Sequence, residues 1–177
     1  TLSASIRLRA NPTFNVAEGM TLIVNGTMTT YNGQRLLTKT GDGILQYDGT
    51  ADANASFRII EGIFSGTGII GGNLTFNANA AFTVTDTTNL LMVNGTVSAT
   101  DLAVTLPETD EQIIPVLQSK QVLTAETLEE KRGYVLTVGE EADDSATVYT
   151  LSYEKLAADA PPKHLEVSLS GVTTWDN

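Results

Sequence analysis

Leu36-Leu37-Thr38-Lys39-Thr40-Gly41-Asp42-Gly43-Ile44-Leu45-Gln46-Tyr47-Asp48-Gly49-Thr50 holds two short strand-like runs. A Thr40-Gly41-Asp42-Gly43 turn separates them, and Asp48-Gly49 closes the unit with a second turn. Glycine reaches left-handed backbone at little cost and Asp hydrogen-bonds its own backbone, so both mark turns. The chain around this stretch repeats itself. Pro12-Thr13-Phe14-Asn15-Val16 followed by Leu22-Ile23-Val24-Asn25-Gly26-Thr27 returns as Ala80-Ala81-Phe82-Thr83-Val84 followed by Leu91-Met92-Val93-Asn94-Gly95-Thr96. The offset is 68 residues at the Phe and 69 at the Asn-Gly-Thr. A β unit that returns with its turns in place predicts stacked coils. At roughly 20–25 residues per coil, the offset is about three coils.

The same grammar runs outward in both directions. Leu2, Ala4, Ile6 and Leu8 alternate with polar residues, the period-two pattern of a half-buried strand. Short apolar runs follow at Phe14/Val16, Leu22/Val24, Leu36 to Thr38, Ile44 to Tyr47, Phe57 to Ile60 and Ile63-Phe64. Further runs lie at Ile69-Ile70, Leu74/Phe76, Phe82/Val84, Leu90 to Val93, Val97/Ala99 and Leu102/Val104/Leu106. Turn signals separate them, among them Asn32-Gly33, Glu61-Gly62, Gly66 to Gly68 and Gly71-Gly72-Asn73. Helical signal is confined to Thr124–Lys131, where Thr127 and Glu130 have capping-box spacing.

Near Pro107 the strands lengthen: Gln112 to Leu117, Gly133 to Val138, Ala146 to Tyr153 and Leu165 to Leu169. Gly139 to Ser145 reads as a hairpin loop, and Ala157 to Pro162 as a segment that ends pairing. The expectation is an all-β chain: a right-handed parallel β-helix over 1–106, with a β-rich C-terminal cap over 107–177. Its core is expected to include Phe14, Val16, Leu22, Val24, Leu45, Phe82, Val84, Leu91 and Val93. A β-sandwich is the competing fold, with antiparallel hairpins at Asn25-Gly26 and Asn94-Gly95.

Composition limits the function. The 177 residues contain no cysteine, which excludes disulfides and thiol chemistry. Net charge is −11, and 101–177 carries −10 of it. An acidic chain without a basic stripe argues against nucleic acid and anionic membrane partners. No run approaches the roughly 18 apolar residues of a membrane helix, and no signal peptide precedes the first strand. Both ends read as cuts from a longer polypeptide.

Chemistry-bearing residues form no catalytic set. His164 is the sole histidine, too few for a His-rich metal site, and no Gly-x-Ser-x-Gly elbow accompanies it. Gly41-Asp42-Gly43 and Gly66-Thr67-Gly68 lack the strand-to-helix step of a dinucleotide fingerprint. Asp42, Asp48 and Asp52 with Lys39 are the nearest approach to a polysaccharide-lyase cluster, and all sit in turns. Glu140, Glu141, Asp143 and Asp144 supply hard oxygen ligands without a known Ca²⁺ spacing. The expected catalytic, cofactor and metal residues are therefore none.

Leu37-Thr38-Lys39-Thr40-Gly41-Asp42-Gly43-Ile44-Leu45, then Asp48-Gly49-Thr50, then Ile60-Glu61-Gly62-Ile63-Phe64-Ser65 resembles the passenger-associated transport repeat of bacterial autotransporters. Gly66 to Leu74 and the strands Gly133 to Val138 and Thr147 to Tyr153 are similar to the same passengers. The resemblance implies a non-enzymatic surface or secreted module, structural and adhesive, at the bacterial cell surface or outside it. It implies a surface glycan or host protein as partner, and an outer-membrane barrel beyond these residues. It carries over no catalytic residue. Two alternatives stand beside it: a fragment of a β-helix polysaccharide-active enzyme, and a β-sandwich binding module.

Overall fold

A computed structural model describes residues 1–142 and 147–157. His164, Asp143, Asp144, the loop residues 158–162 and the run Leu165 to Leu169 lie outside the described residues.

The short runs do become strands: β1 (Ile6–Leu8), β2 (Thr13–Asn15), β3 (Thr21–Val24), β4 (Thr27–Thr30), β5 (Arg35–Thr40), β6 (Ile44–Tyr47) and β7 (Thr50–Ala51). They continue as β8 (Ala55–Ser65), β9 (Ile69–Ile70), β10 (Leu74–Thr83), β11 (Leu91–Val93), β12 (Val97–Ser98), β13 (Ala103–Thr105) and β14 (Ile113–Ser119). A single 3-10 turn (Ala125–Thr127) precedes β15 (Tyr134–Ala142) and β16 (Thr147–Lys155).

Each strand up to β14 pairs in parallel with the strand one coil away, never with its sequence neighbour. The result is a β-solenoid of about five turns. It has three faces. On the first, β3, β6, the second part of β8, the second part of β10 and β13 stack in order. The second holds β1, β4, β7, β9, β11 and β14. The third holds β2, β5, the first part of β8, the first part of β10 and β12. The sandwich alternative is overturned by this pairing. Asn25-Gly26 and Asn94-Gly95 are corners between faces, not hairpin turns.

Packing follows the ladders. Leu22, Leu45, Phe64, Phe82 and Val104 form one inward column on the first face. Leu37, Phe57, Leu74 and Val97 form another on the third. Between them, Tyr47 meets Phe57 edge-on at 4.8 Å, and Phe64 lies 6.3 Å from Phe57 and 6.1 Å from Phe76. Burying each such ring contributes on the order of 1.5–3 kcal/mol. Most of the expected core is fully buried, while Phe14 and Leu22, in the outermost coils, are partly covered and pack against it.

The repeat that suggested coils is not the coil repeat. Phe82 stacks in the column of Leu22 on the first face, whereas Phe14 stacks with Lys39, Ile59 and Phe76 on the third. Asn25-Gly26 lies over Asp48-Gly49 at the corner from first to second face, where a Cβ on Gly49 would fall 2.1 Å from the Gly26 carbonyl oxygen. Asn94-Gly95 lies over Gly71-Gly72 at the next corner, with the Gly95 N–H donating to Gly72 O at 3.1 Å. The two similar stretches are thus displaced by one face. Every face asks for the same local unit, a short strand ending in a residue that tolerates close backbone approach. A strand-plus-turn match therefore does not fix the face.

The cap begins on the second face. β14 pairs in parallel with β11, and β16 then turns the sheet antiparallel, with β15 outermost. Leu128 adds one parallel bridge to Leu102. Tyr153 packs edge-on against Tyr134 at 5.9 Å and donates its hydroxyl to Glu129 O at 2.6 Å. The capping box at Thr127 and Glu130 does not form, because Thr127 closes the 3-10 turn and no helix follows.

Candidate functional site

The three turn carboxylates occupy three different corners of one coil. Asp42 sits between β5 and β6, Asp48 between β6 and β7, and Asp52 between β7 and β8. Two of them are engaged in joining coils. Asp48 accepts from the Thr67 N–H at 3.0 Å and from Gln46 Nε2 at 2.6 Å. Asp52 accepts from the Thr30 N–H at 2.7 Å and from the Asn54 N–H at 3.0 Å. The nearest approach to a lyase-type cluster in the sequence is thus separated by the solenoid geometry. Among the described residues, no group of three or more His, Asp or Glu is placed to hold a metal ion. Glu140 and Glu141 stand exposed on β15.

Lys39 is not beside those carboxylates in solvent. It is fully buried, at 0 % exposure, in the same inward column as Phe14, Ile59 and Phe76. The side chain reaches the corner from third to first face. There Nζ donates to Glu61 O at 2.9 Å, to Thr40 O at 3.5 Å, and to Gly41 O. The Glu61 side chain closes the loop by accepting from the Gly41 N–H at 2.7 Å. Desolvation pulls the Lys39 ammonium below the usual lysine range, against the opposing fields of Glu61 and Asp42. Lys39, Gly41, Glu61 and Gly62 thus form one interlocked corner, built from the residues that carry the resemblance. The arrangement satisfies buried carbonyls; it presents no reacting group to solvent.

A second cluster escaped the sequence reading. Arg7 on β1 and Arg9 just beyond it both lie over the Tyr31 ring, at 4.7 and 5.3 Å from its centroid. The register explains this, because Arg7 pairs with Thr29 and the next outward positions are Arg9 and Tyr31. Arg35 fixes the turn beneath, donating to Tyr31 O and Gln34 O at 2.7 Å each. The only sequence signal is that Arg7 and Arg9 share one side of a strand. Tyr31 joins them only once the coil register is known.

Comparison of the chain with protein-family models, with curated proteins and with solved structures gave no match.

Proposed function

We propose that this chain is a non-enzymatic β-solenoid module of an autotransporter-like passenger, working outside the cell as a rigid structural and adhesive element. The observation that carries the reading is the corner formed by Lys39, Gly41, Glu61 and Gly62. The residues of the transport-repeat resemblance are the ones that lock coil to coil there. Asp48 and Asp52 are likewise engaged in coil-to-coil hydrogen bonds. A scaffold of this kind holds its outward side chains in a fixed array. That suits a stalk that meets a glycan or a host protein along one face.

The test has two arms. The coding sequence downstream of residue 177 is expected to encode alternating strands of about 10 residues with aromatic girdles, the pattern of an outer-membrane barrel. A different module there, or a stop codon, sinks the self-transport reading. The purified chain is also expected to release no reducing ends from acidic or neutral polysaccharides. Turnover that Asp42→Asn or Asp48→Asn abolishes would replace this reading with a polysaccharide-active enzyme.

A further inference from the structure

The chain is strongly acidic, yet three of its arginines gather at one place. Arg7 and Arg9 are exposed and share the exposed Tyr31 ring, and Arg35 holds the turn that carries that ring. Two like charges drawn to one ring repel each other. Such pairs are ordinarily neutralised by a nearby carboxylate. Here the one ion pair among the described residues is Lys131 with Glu129, in the cap. The nearest carboxylate in register is Asp52, one coil below Thr29, and its oxygens are taken by Thr30 and Asn54. Attraction to the ring face offsets part of the repulsion. Among the described residues the guanidinium N–H donors have no anionic acceptor.

The surroundings narrow the partner. Arg7 continues across the second face into Thr29, and Thr27 lies beside Thr50 on the next coil, all exposed. Parallel strands place these hydroxyls in a flat array with rows about 4.8 Å apart. Guanidinium forks bind carboxylate or sulfate in bidentate fashion, and hydroxyls exchange hydrogen bonds with other hydroxyls. Duplex DNA fits less well, because its sugars carry no free hydroxyl for the threonine array and a net charge of −11 opposes a stiff anionic rod beyond this patch.

We infer that Arg7, Arg9 and Tyr31, extended by Thr27, Thr29 and Thr50, form a binding site for an acidic saccharide bearing carboxylate or sulfate groups. Arg35 is the positioning residue. This inference rests on the surface-module reading and names the partner of that module.

Binding of the full chain to immobilised polysaccharides tests it, with polygalacturonate, a heparin-type sulfated polysaccharide, neutral dextran and duplex DNA compared. Binding to the two acidic polysaccharides, but not to dextran, is expected, weakening as salt screens the contact. R7Q/R9Q is expected to lower affinity at least tenfold. Arg58→Gln, an exposed arginine on the third face, is expected to leave it unchanged. R7K/R9K keeps the charge and removes the fork, so intermediate binding is expected with an unchanged circular-dichroism spectrum. Equal binding to dextran, no binding to either acidic polysaccharide, equal loss with R58Q, or stronger binding to DNA would each overturn the site. Reducing ends released in the same samples would instead overturn the non-enzymatic reading, so the two failures are distinguishable.

Discussion

Gly62 and Gly19 have the same left-handed backbone, φ 74° in both, and entirely different surroundings. A Cβ on Gly19 meets nothing within 4 Å, whereas one on Gly62 falls 2.3 Å from Gly41 O and 2.5 Å from Lys39 Nζ. Alanine at Gly19 therefore meets only the backbone penalty, about 1 kcal/mol. Alanine at Gly62 must also push the neighbouring coil, and about 3 kcal/mol or more is expected. Urea unfolding of the two variants separates the terms; equal losses would mean that the corner is not closely stacked. Lys39 is the other residue whose loss reads out this corner. Exchanging a buried ion pair for apolar groups is often harmless, but the partners of Lys39 are backbone carbonyls that no side-chain mutation removes. Lys39→Met is thus expected to cost about 2 kcal/mol, the penalty of buried acceptors left unmet. An unchanged denaturation midpoint would show that those carbonyls find other donors. The sequence announced Gly41 and Gly62 as turn residues. It gave no sign that Lys39 lies inside, because a lysine in a β pattern reads as solvent-facing.

At the level of elements, the cap depends on Glu129. Its carboxylate accepts from Lys131 and from the Val104 N–H at 3.0 Å, and its backbone carbonyl accepts from the Tyr153 hydroxyl. The Lys131 hydrogen bond, then that from Val104, holds the Glu129 carboxyl below its ordinary value of 4.5. A carboxyl depressed by folding stabilises above its unfolded value and loses that contribution as pH falls through the folded one. Lowering the pH from neutral to about 3 should therefore weaken the cap in the wild type, and less so in Glu129→Gln. Near-ultraviolet dichroism from Tyr134 and Tyr153 follows it; identical acid profiles would remove Glu129 as the cause. Most strands near it were legible because their apolar residues alternate or cluster. β4 and β7 were not: Thr27-Met28-Thr29-Thr30 offers one buried apolar side chain, and Thr50-Ala51 only a small one. β8 and β10 were each read as two runs, those of β8 with a turn between them. In β8 that turn is Glu61-Gly62, where the strand bends from the third face to the first and the ladder with β10 shifts register between Phe76 and Asn79.

In the whole molecule, stability should be distributed along the stack rather than shared evenly. Coils that touch only their neighbours behave as a one-dimensional array, in which the ends open before the middle. The sequence revealed that array through its turns, and misread its phase by one face because each face has the same local grammar. Coil length also varies: 23 residues from Thr21 to Ile44, 19 from Ile44 to Ile63, 18 from Ile63 to Ala81 and 22 from Ala81 to Ala103. The shortest coils are those in which β8 and β10 run unbroken through two faces. They also hold Phe64, Phe76 and Phe82 in mutual contact, with Phe57 against Phe64. A strand shared by two faces cannot open on one without straining the other, so these coils should open together and last. β1 and β2 have neighbours on one side only, which leaves them free to fray. Native-state hydrogen exchange should then show greatest protection at Phe57, Ile59, Ile63 and Phe64, intermediate protection in β14 and β16, and least in β1 and β2. Uniform protection from β1 to β16 would contradict this: the coils and the cap would then unfold as one cooperative unit, and the nearest-neighbour description would fail.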